Sequence, residues 1–280
     1  MEHKITCAVF YLLEEKMLEE EKSRATIEKY KRDVKKFIAF VGEKNYVTKD
    51  TVVSYKQWLK KKYAITSANS MLAALNYFFR VVGWQDCSVR AFKVQREAFR
   101  SSKQNLSREE YVRLLDAARR QGKSWLYYIM LTVCSTGIRI SELQFITLES
   151  LNTRRARVSL KGKTRTVILP VELCRELKRY AKEKSISSGS VFVTRSGKLI
   201  DRSNILHAMK RLCTDAEVEQ SKVFPHNLRH LFAVTYYQKE KDISHLADIL
   251  GHSNINTTRI YTLVSCEDQE QVLSELGLVI

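Results

Sequence analysis

One helix without a polar side sets the terms for this chain. Residues 125–134 read W-L-Y-Y-I-M-L-T-V-C, apolar nearly all round, and such a helix belongs deep in a core. Gly137 breaks it, and Arg139 opens the next helical segment within S-T-G-I-R-I-S-E-L. A guanidinium at the mouth of a buried helix needs an anion. Glu142, three residues on and on the same face, can hold Arg139 while leaving part of its fork free. A plain Arg-Glu helix pair would read the same in isolation.

A second constellation lies nearer the C-terminus, between Pro225 and Tyr261. Pro225 suits the first turn of a helix, and His226 and Arg229, three apart, then face one way. Ile243, Leu246, Ala247 and Leu250 keep the spacing of a helix with one buried face, with Gly251 placed to end it in a left-handed conformation. His252 stands just past that cap, and Asn256 or Thr257 can start a further helix carrying Tyr261. Each residue alone has an ordinary reading as packing or surface. Together, with the Arg139 site upstream, they read as a phosphate site with a phenolic nucleophile attached.

The charge agrees with a polyanionic partner. Against 31 acidic residues the chain carries 48 lysines and arginines, a formal +17, and such a field attracts nucleic acid in a salt-dependent way. Six cysteines occur with no C-x-x-C pair, which fits reduced thiols in a cytoplasmic protein and writes no zinc site. No carboxylate cluster suggests a two-metal centre, so no metal and no other cofactor is expected. There is neither a secretory leader nor a run of about 18 apolar residues, which argues against secretion and membrane insertion. Two prolines and nine glycines leave little room for long disordered linkers.

The expected fold class is mainly α with a small antiparallel β-sheet. Residues 1–95 read as four helices with basic faces, over 9–22, from Ser23 or Thr26 to Val41, 49–62 and 66–82. A basic linker follows at 96–104, and Ser107 with Glu110 forms a capping box that opens a second domain, 105–280. In that domain 148–151, 156–160 and 165–169 read as three short strands, the last two a hairpin turning at Gly162, with a further extended piece at 191–193. Helices are expected at 171–184 and from Asp201 or Ser203 to Cys213. Lys35, Lys36, Arg96, Arg100, Lys103, Lys163 and Arg202 are the basic residues placed to meet a DNA backbone.

Taken in series, T-G-I-R-I-S-E-L, K-G-K, H-N-L-R-H and L-G-H-S-N-I-N-T-T-R-I-Y resemble the motifs of the tyrosine recombinase (phage integrase) family, in their order and in a compact, Xer-like form. The motifs span about 104–270, and the architecture the whole chain. The resemblance implies an N-terminal helical core-binding domain of SAM-like type and a mixed α/β catalytic domain, closing as a C-shaped clamp around double-stranded DNA. It implies catalytic roles for Arg139, Lys161, His226, Arg229, His252 and Tyr261, with Glu142 in support and Lys163 as the alternative hairpin lysine. Asn227 and Leu231 depart from the family's usual Asp and Thr and put the local helix cap in question. In this scheme Tyr261 attacks phosphorus, two guanidiniums hold the non-bridging oxygens, His226 accepts the phenolic proton or holds the phosphate oxygen, His252 adds a donor and Lys161 protonates the departing 5′ oxygen.

The function so implied is site-specific DNA recombination (integration, excision, inversion or dimer resolution) through a 3′-phosphotyrosyl link, by a homo-tetramer on inverted-repeat core sites that is a monomer or weak oligomer when free, in the cytoplasm with the nucleoid. The apolar tail at 263–280 reads by itself as packing on its own domain, whereas the resemblance implies that it docks on a neighbouring protomer. Type IB topoisomerase-like relaxation and a non-catalytic DNA-binding protein on the same fold are the alternatives. The intact set of six residues argues against the second.

Overall fold

In the computed structural model, residues 1–42, 45–94, 105–160, 162–194, 196–252 and 254–261 are described. The chain divides into two compact units, Met1–Arg96 and Glu97–Ile280. The positions expected at Lys161, Arg96, Arg100, Lys103 and in the tail at 263–280 lie outside the described residues. Within those residues no helix is long and apolar enough to cross a membrane.

The first unit is built on four helices, α1 (Cys7–Glu19), α2 (Arg24–Val41), α3 (Lys49–Lys62) and α4 (Ile65–Val81). Ser23 caps α2 by accepting from the Thr26 amide, and Thr48 and Thr51 cap α3 reciprocally. Their apolar stripes meet around Phe37, Tyr55, Phe78 and Phe79, all essentially inaccessible. Each of the three phenylalanines contributes about 2–3 kcal/mol by leaving water. Two asparagines on α4 then hold the exit strand: Asn76 exchanges both amide bonds with Val89 and Asn69 with Phe92. One pairing was not legible in the sequence. A two-residue strand β1 (His3–Lys4) lies antiparallel to β2 (Tyr46–Val47), too short to show a period of two.

The second unit surrounds the apolar helix that holds residues 125–134. That helix, α6 (Ser124–Thr136), follows α5 (Arg108–Arg120), which begins on the Ser107–Glu110 capping box. Leu126, Ile129 and Met130 are fully buried at its centre. Gly137 ends it at φ 66°. A β-carbon there would come within 2.4 Å of the Phe232 ring, so the position excludes a side chain on two counts.

The segment at 148–151, expected as a strand, is instead the short helix α7 (Leu148–Thr153). Thr147 accepts from the Ser150 amide while Ser150 Oγ accepts from that of Thr147. This local pairing satisfies the backbone without a partner strand. The hairpin is β3 (Arg155–Leu160) with β4 (Lys163–Ile168), in register from Arg155 opposite Ile168 to Leu160 opposite Lys163. Only two residues are left for its turn, and the strand starts two positions before the expected Arg165. The piece at 191–193 makes one isolated bridge, Val193 to Leu199.

Helices α8 (Val171–Glu183), α9 (Arg202–Ala216), α10 (Pro225–Glu240) and α11 (Ile243–Leu250) complete the unit. Asp201 caps α9 through the Ser203 and Asn204 amides, and α10 opens with Pro225 in its first turn. Asn227 turns its side-chain amide to the Lys222 carbonyl at 2.8 Å, so the start of α10 is braced on the preceding turn. Tyr261 does not ride on a helix. Asn254 caps a 3-10 turn, Ile255–Thr257, and Tyr261 closes a second, Arg259–Tyr261.

Candidate active site

The end of α11 is where the site assembles. The last carbonyls of a helix have no amide to serve and carry the negative end of its dipole. Here guanidiniums take them. Arg229 donates Nη2 to Leu250 O at 2.7 Å and Nη1 to Gly137 O at 2.6 Å. Arg165 donates Nε to Ile249 O at 3.1 Å, and Arg139 reaches Leu250 O at 3.5 Å. Gly251 makes the crowding possible. It sits at φ 63°, and a β-carbon would fall 2.7 Å from Cδ of Arg165.

Glu142 is the counter-charge, with 2% of its side chain exposed. One oxygen accepts Arg139 Nη1 at 3.0 Å and Arg165 Nη1 at 2.8 Å. The other accepts the Arg139 amide at 2.8 Å and Arg165 Nη2 at 2.9 Å. Burial alone would raise this carboxyl, yet the bonds from Arg165 and Arg139 hold it below the ordinary range. It is an anion in place, and Arg139, with 43% of its side chain exposed, keeps Nη2 and Nε outside that pair.

Arg229 is the opposite case: it is 2% exposed. Burial, then the neighbouring Arg139, lowers it to about 10, while Tyr261 and Glu142 oppose the shift. It therefore remains a cation at neutral pH. Its Nη2 also meets Nε2 of His252 at 3.0 Å, and Nδ1 of that ring lies 2.9 Å from Thr258 Oγ1. An arginine can only donate, so Nε2 accepts and the ring's one proton sits on Nδ1. Burial, with Arg229, Arg139 and Arg165 nearby, pushes His252 down to about 4. As folded, His252 accepts from Arg229 and turns its one proton toward Thr258.

His226 and Arg202, both exposed, join Arg139 and Arg229 around a cleft of about 170 Å³ whose other walls are Ile138, Ile140, Ser141 and Pro225. Tyr261 lies behind it. Its ring stacks on His252 at 6.2 Å between centroids and tilts against His230 at 5.1 Å. Only 3% of the residue is exposed, among Ala233, Leu246 and Leu250. Of the expected residues, the fold thus gathers Arg139, Glu142, Arg202, His226, Arg229, His252 and Tyr261 in one region. Lys35 and Lys36 lie in the first unit, on an exposed face of α2. Lys35 Nζ sits over the Phe10 ring, and Lys36 donates to Tyr63 Oη at 3.0 Å. Lys163 opens β4. Arg165 and Thr258 were missed; neither carries a sequence signal beyond being a basic strand residue and a threonine before the tyrosine.

One group of metal-ligating side chains comes together among the described residues: His3, Asp86 and Cys87, in the first unit. His3 Nε2 already pairs with both oxygens of Asp86, at 2.9 and 3.0 Å, and burial raises the Cys87 thiol. Cys87, Cys174 and Cys213 are buried free thiols and Cys134 is half-buried.

The model of the phage integrase family matches residues 104–267, and that of the phage integrase N-terminal SAM-like domain matches 12–86. The chain belongs to the phage integrase family. Tyrosine recombinase XerA of Thermococcus kodakarensis is 30% identical, over 93% of this chain and 92% of its own length. A crystal structure of XerA recombinase is 26% identical with a TM-score of 0.53, covering 98% of this chain and 99% of that one. A lambda integrase tetramer bound to a Holliday junction shares the fold, at 16% identity and a TM-score of 0.72, over 92% of this chain and 78% of the other. As a tyrosine recombinase the chain is an enzyme of DNA strand cleavage and rejoining.

Proposed function

We propose that this integrase-family chain cleaves and rejoins duplex DNA at specific sites through Tyr261, with the cleft of Arg139, Arg202, His226 and Arg229 holding the scissile phosphate. The observation that carries this reading is the short chain of contacts from cleft to phenol: Arg229 lines the cleft, bonds His252, and His252 stacks on Tyr261.

In the reaction, Tyr261 Oη forms a bond to phosphorus and the bond from phosphorus to the 5′ oxygen breaks. His226 takes the phenolic proton, needed because a phenol titrates near pH 10 and attacks poorly while protonated. A hairpin lysine, Lys161 before Lys163, gives a proton to the 5′ oxygen. Arg139 and Arg229 face the negative charge that builds on the non-bridging oxygens; one such fixed donor is worth about 3–4 kcal/mol of barrier. Arg202 adds a third cation at the rim. The phosphodiester count is unchanged, so a second strand's 5′ hydroxyl can reverse the step and rejoin.

In the DNA-free chain the phenol is sheltered, so this reading requires that seated DNA bring Tyr261 out to the phosphorus. Strand exchange further calls for four copies on paired inverted repeats, an assembly carried over from the lambda integrase tetramer, and we place the enzyme in the cytoplasm on nucleoid DNA. The test begins with a search for inverted repeats in the DNA flanking the gene and continues with incubation of the chain with nicked duplexes that carry them. Wild type should yield a denaturant-resistant protein–DNA adduct, and Tyr261→Phe should bind the same duplex without forming it. An adduct that survives the substitution overturns the assignment.

A further inference from the structure

Arg165 is the cation that neither the resemblance nor the cleft accounts for. It sits on β4 with 15% of its side chain exposed and is not among the residues that line the cleft. Its planar fork takes both oxygens of Glu142, at 2.8 and 2.9 Å, and its Nε takes the Ile249 carbonyl at 3.1 Å. The room it occupies is kept open by the missing side chain of Gly251. With two bonds from Arg139 added, each Glu142 oxygen accepts twice, which saturates a carboxylate.

We infer that Arg165 is a positioning residue for Arg139: by occupying the two-pronged face of Glu142 it confines that carboxylate to one nitrogen of the Arg139 side chain and leaves the rest of the fork for phosphate. The physical reason is competition. A buried carboxylate that loses a cation takes the best remaining one, and the best geometry for a guanidinium is the two-pronged pair. Without Arg165, Glu142 would draw Arg139 into that pair, and the phosphate site would lose the nitrogens it uses. Lysine cannot replace Arg165 fully, since an ammonium offers no planar fork. The inference rests on the reading of Arg139 as a phosphate ligand.

The experiment is single-turnover adduct formation on the nicked duplex, with DNA affinity and thermal unfolding measured alongside, for wild type, Arg165→Met, Arg165→Lys and each of these combined with Glu142→Gln. Arg165→Met should form adduct about a hundredfold more slowly at an affinity within about threefold of wild type, with Arg165→Lys in between. Adding Glu142→Gln should recover at least about tenfold of the loss, because a neutral amide no longer draws in Arg139. If Arg165→Met fails to fold, the lysine pair carries the same comparison. A merely structural Arg165 would slow adduct formation only in step with lost folding stability, leaving the rate of the folded fraction at the wild-type value; that outcome, or unaltered rates in Arg165→Met and Arg165→Lys, would overturn the inference. A wild type that forms no adduct strikes the cleavage reading instead.

Discussion

Arg229 donates to Nε2 of His252 over 3.0 Å, and that bond fixes where the ring keeps its proton. The proton is on Nδ1, directed at Thr258 Oγ1, 2.9 Å away. Thr258 is fully buried three residues before Tyr261. The turn that carries Tyr261 therefore also orients the ring that orients the arginine.

Thr258→Val keeps the shape of the side chain and removes the acceptor. Losing a buried hydrogen bond of this kind costs about 1–2 kcal/mol. If the cost falls on the placement of Arg229, adduct formation should slow about tenfold while DNA affinity holds. Single-turnover kinetics beside a mobility-shift titration measure the two effects separately.

The pH dependence of stability follows from the same ring. His252 titrates near 4 in the folded chain, against about 6.5 when unfolded. Its folded pKa is depressed, so the unfolded chain binds a proton first as pH falls. The stability it contributes is full above about pH 6.5 and is lost between there and pH 4. Allowing for solvent at a half-buried ring, the loss is about 1–2 kcal/mol. Denaturant unfolding at pH 7.5 and 4.5 should show a smaller drop in His252→Asn than in wild type.

Gly137→Ala tests the packing behind the site. The new β-carbon would meet Phe232 at 2.4 Å in a left-handed backbone, so overpacking of about 1–3 kcal/mol adds to about 1 kcal/mol of strain. Thermal unfolding should report a clear drop in Tm, and adduct formation should fall too, because the Gly137 carbonyl holds Arg229.

These residues also mark what the sequence could disclose. The helical period, the caps at Ser23, Ser107 and Asp201 and the glycine stops at 137 and 251 are local, and each was legible because its partner lies within a few residues. The 148–151 segment misled because an apolar run of four has no period, and its outcome turned on the reciprocal Thr147–Ser150 cap. Motif order could name candidates for the site, yet not their bonds. Arg165 to Glu142 spans 23 positions and Arg229 to Gly137 spans 92, and only the packing of the β3–β4 hairpin on the 140–145 turn, and of α10 on α6, makes them neighbours. The same limit hid the tautomer of His252, which depends on a donor-only partner 23 residues away.

The central claim is that one phenol becomes bonded to DNA, and peptide mass spectrometry of the trapped adduct measures it directly. After nuclease and protease digestion of the complex formed on a nicked duplex, the account expects a single modified peptide, with the nucleotide mass on Tyr261 and attached through a 3′ phosphate. A nucleotide on any other residue, or a 5′ phosphate linkage at Tyr261, would contradict it.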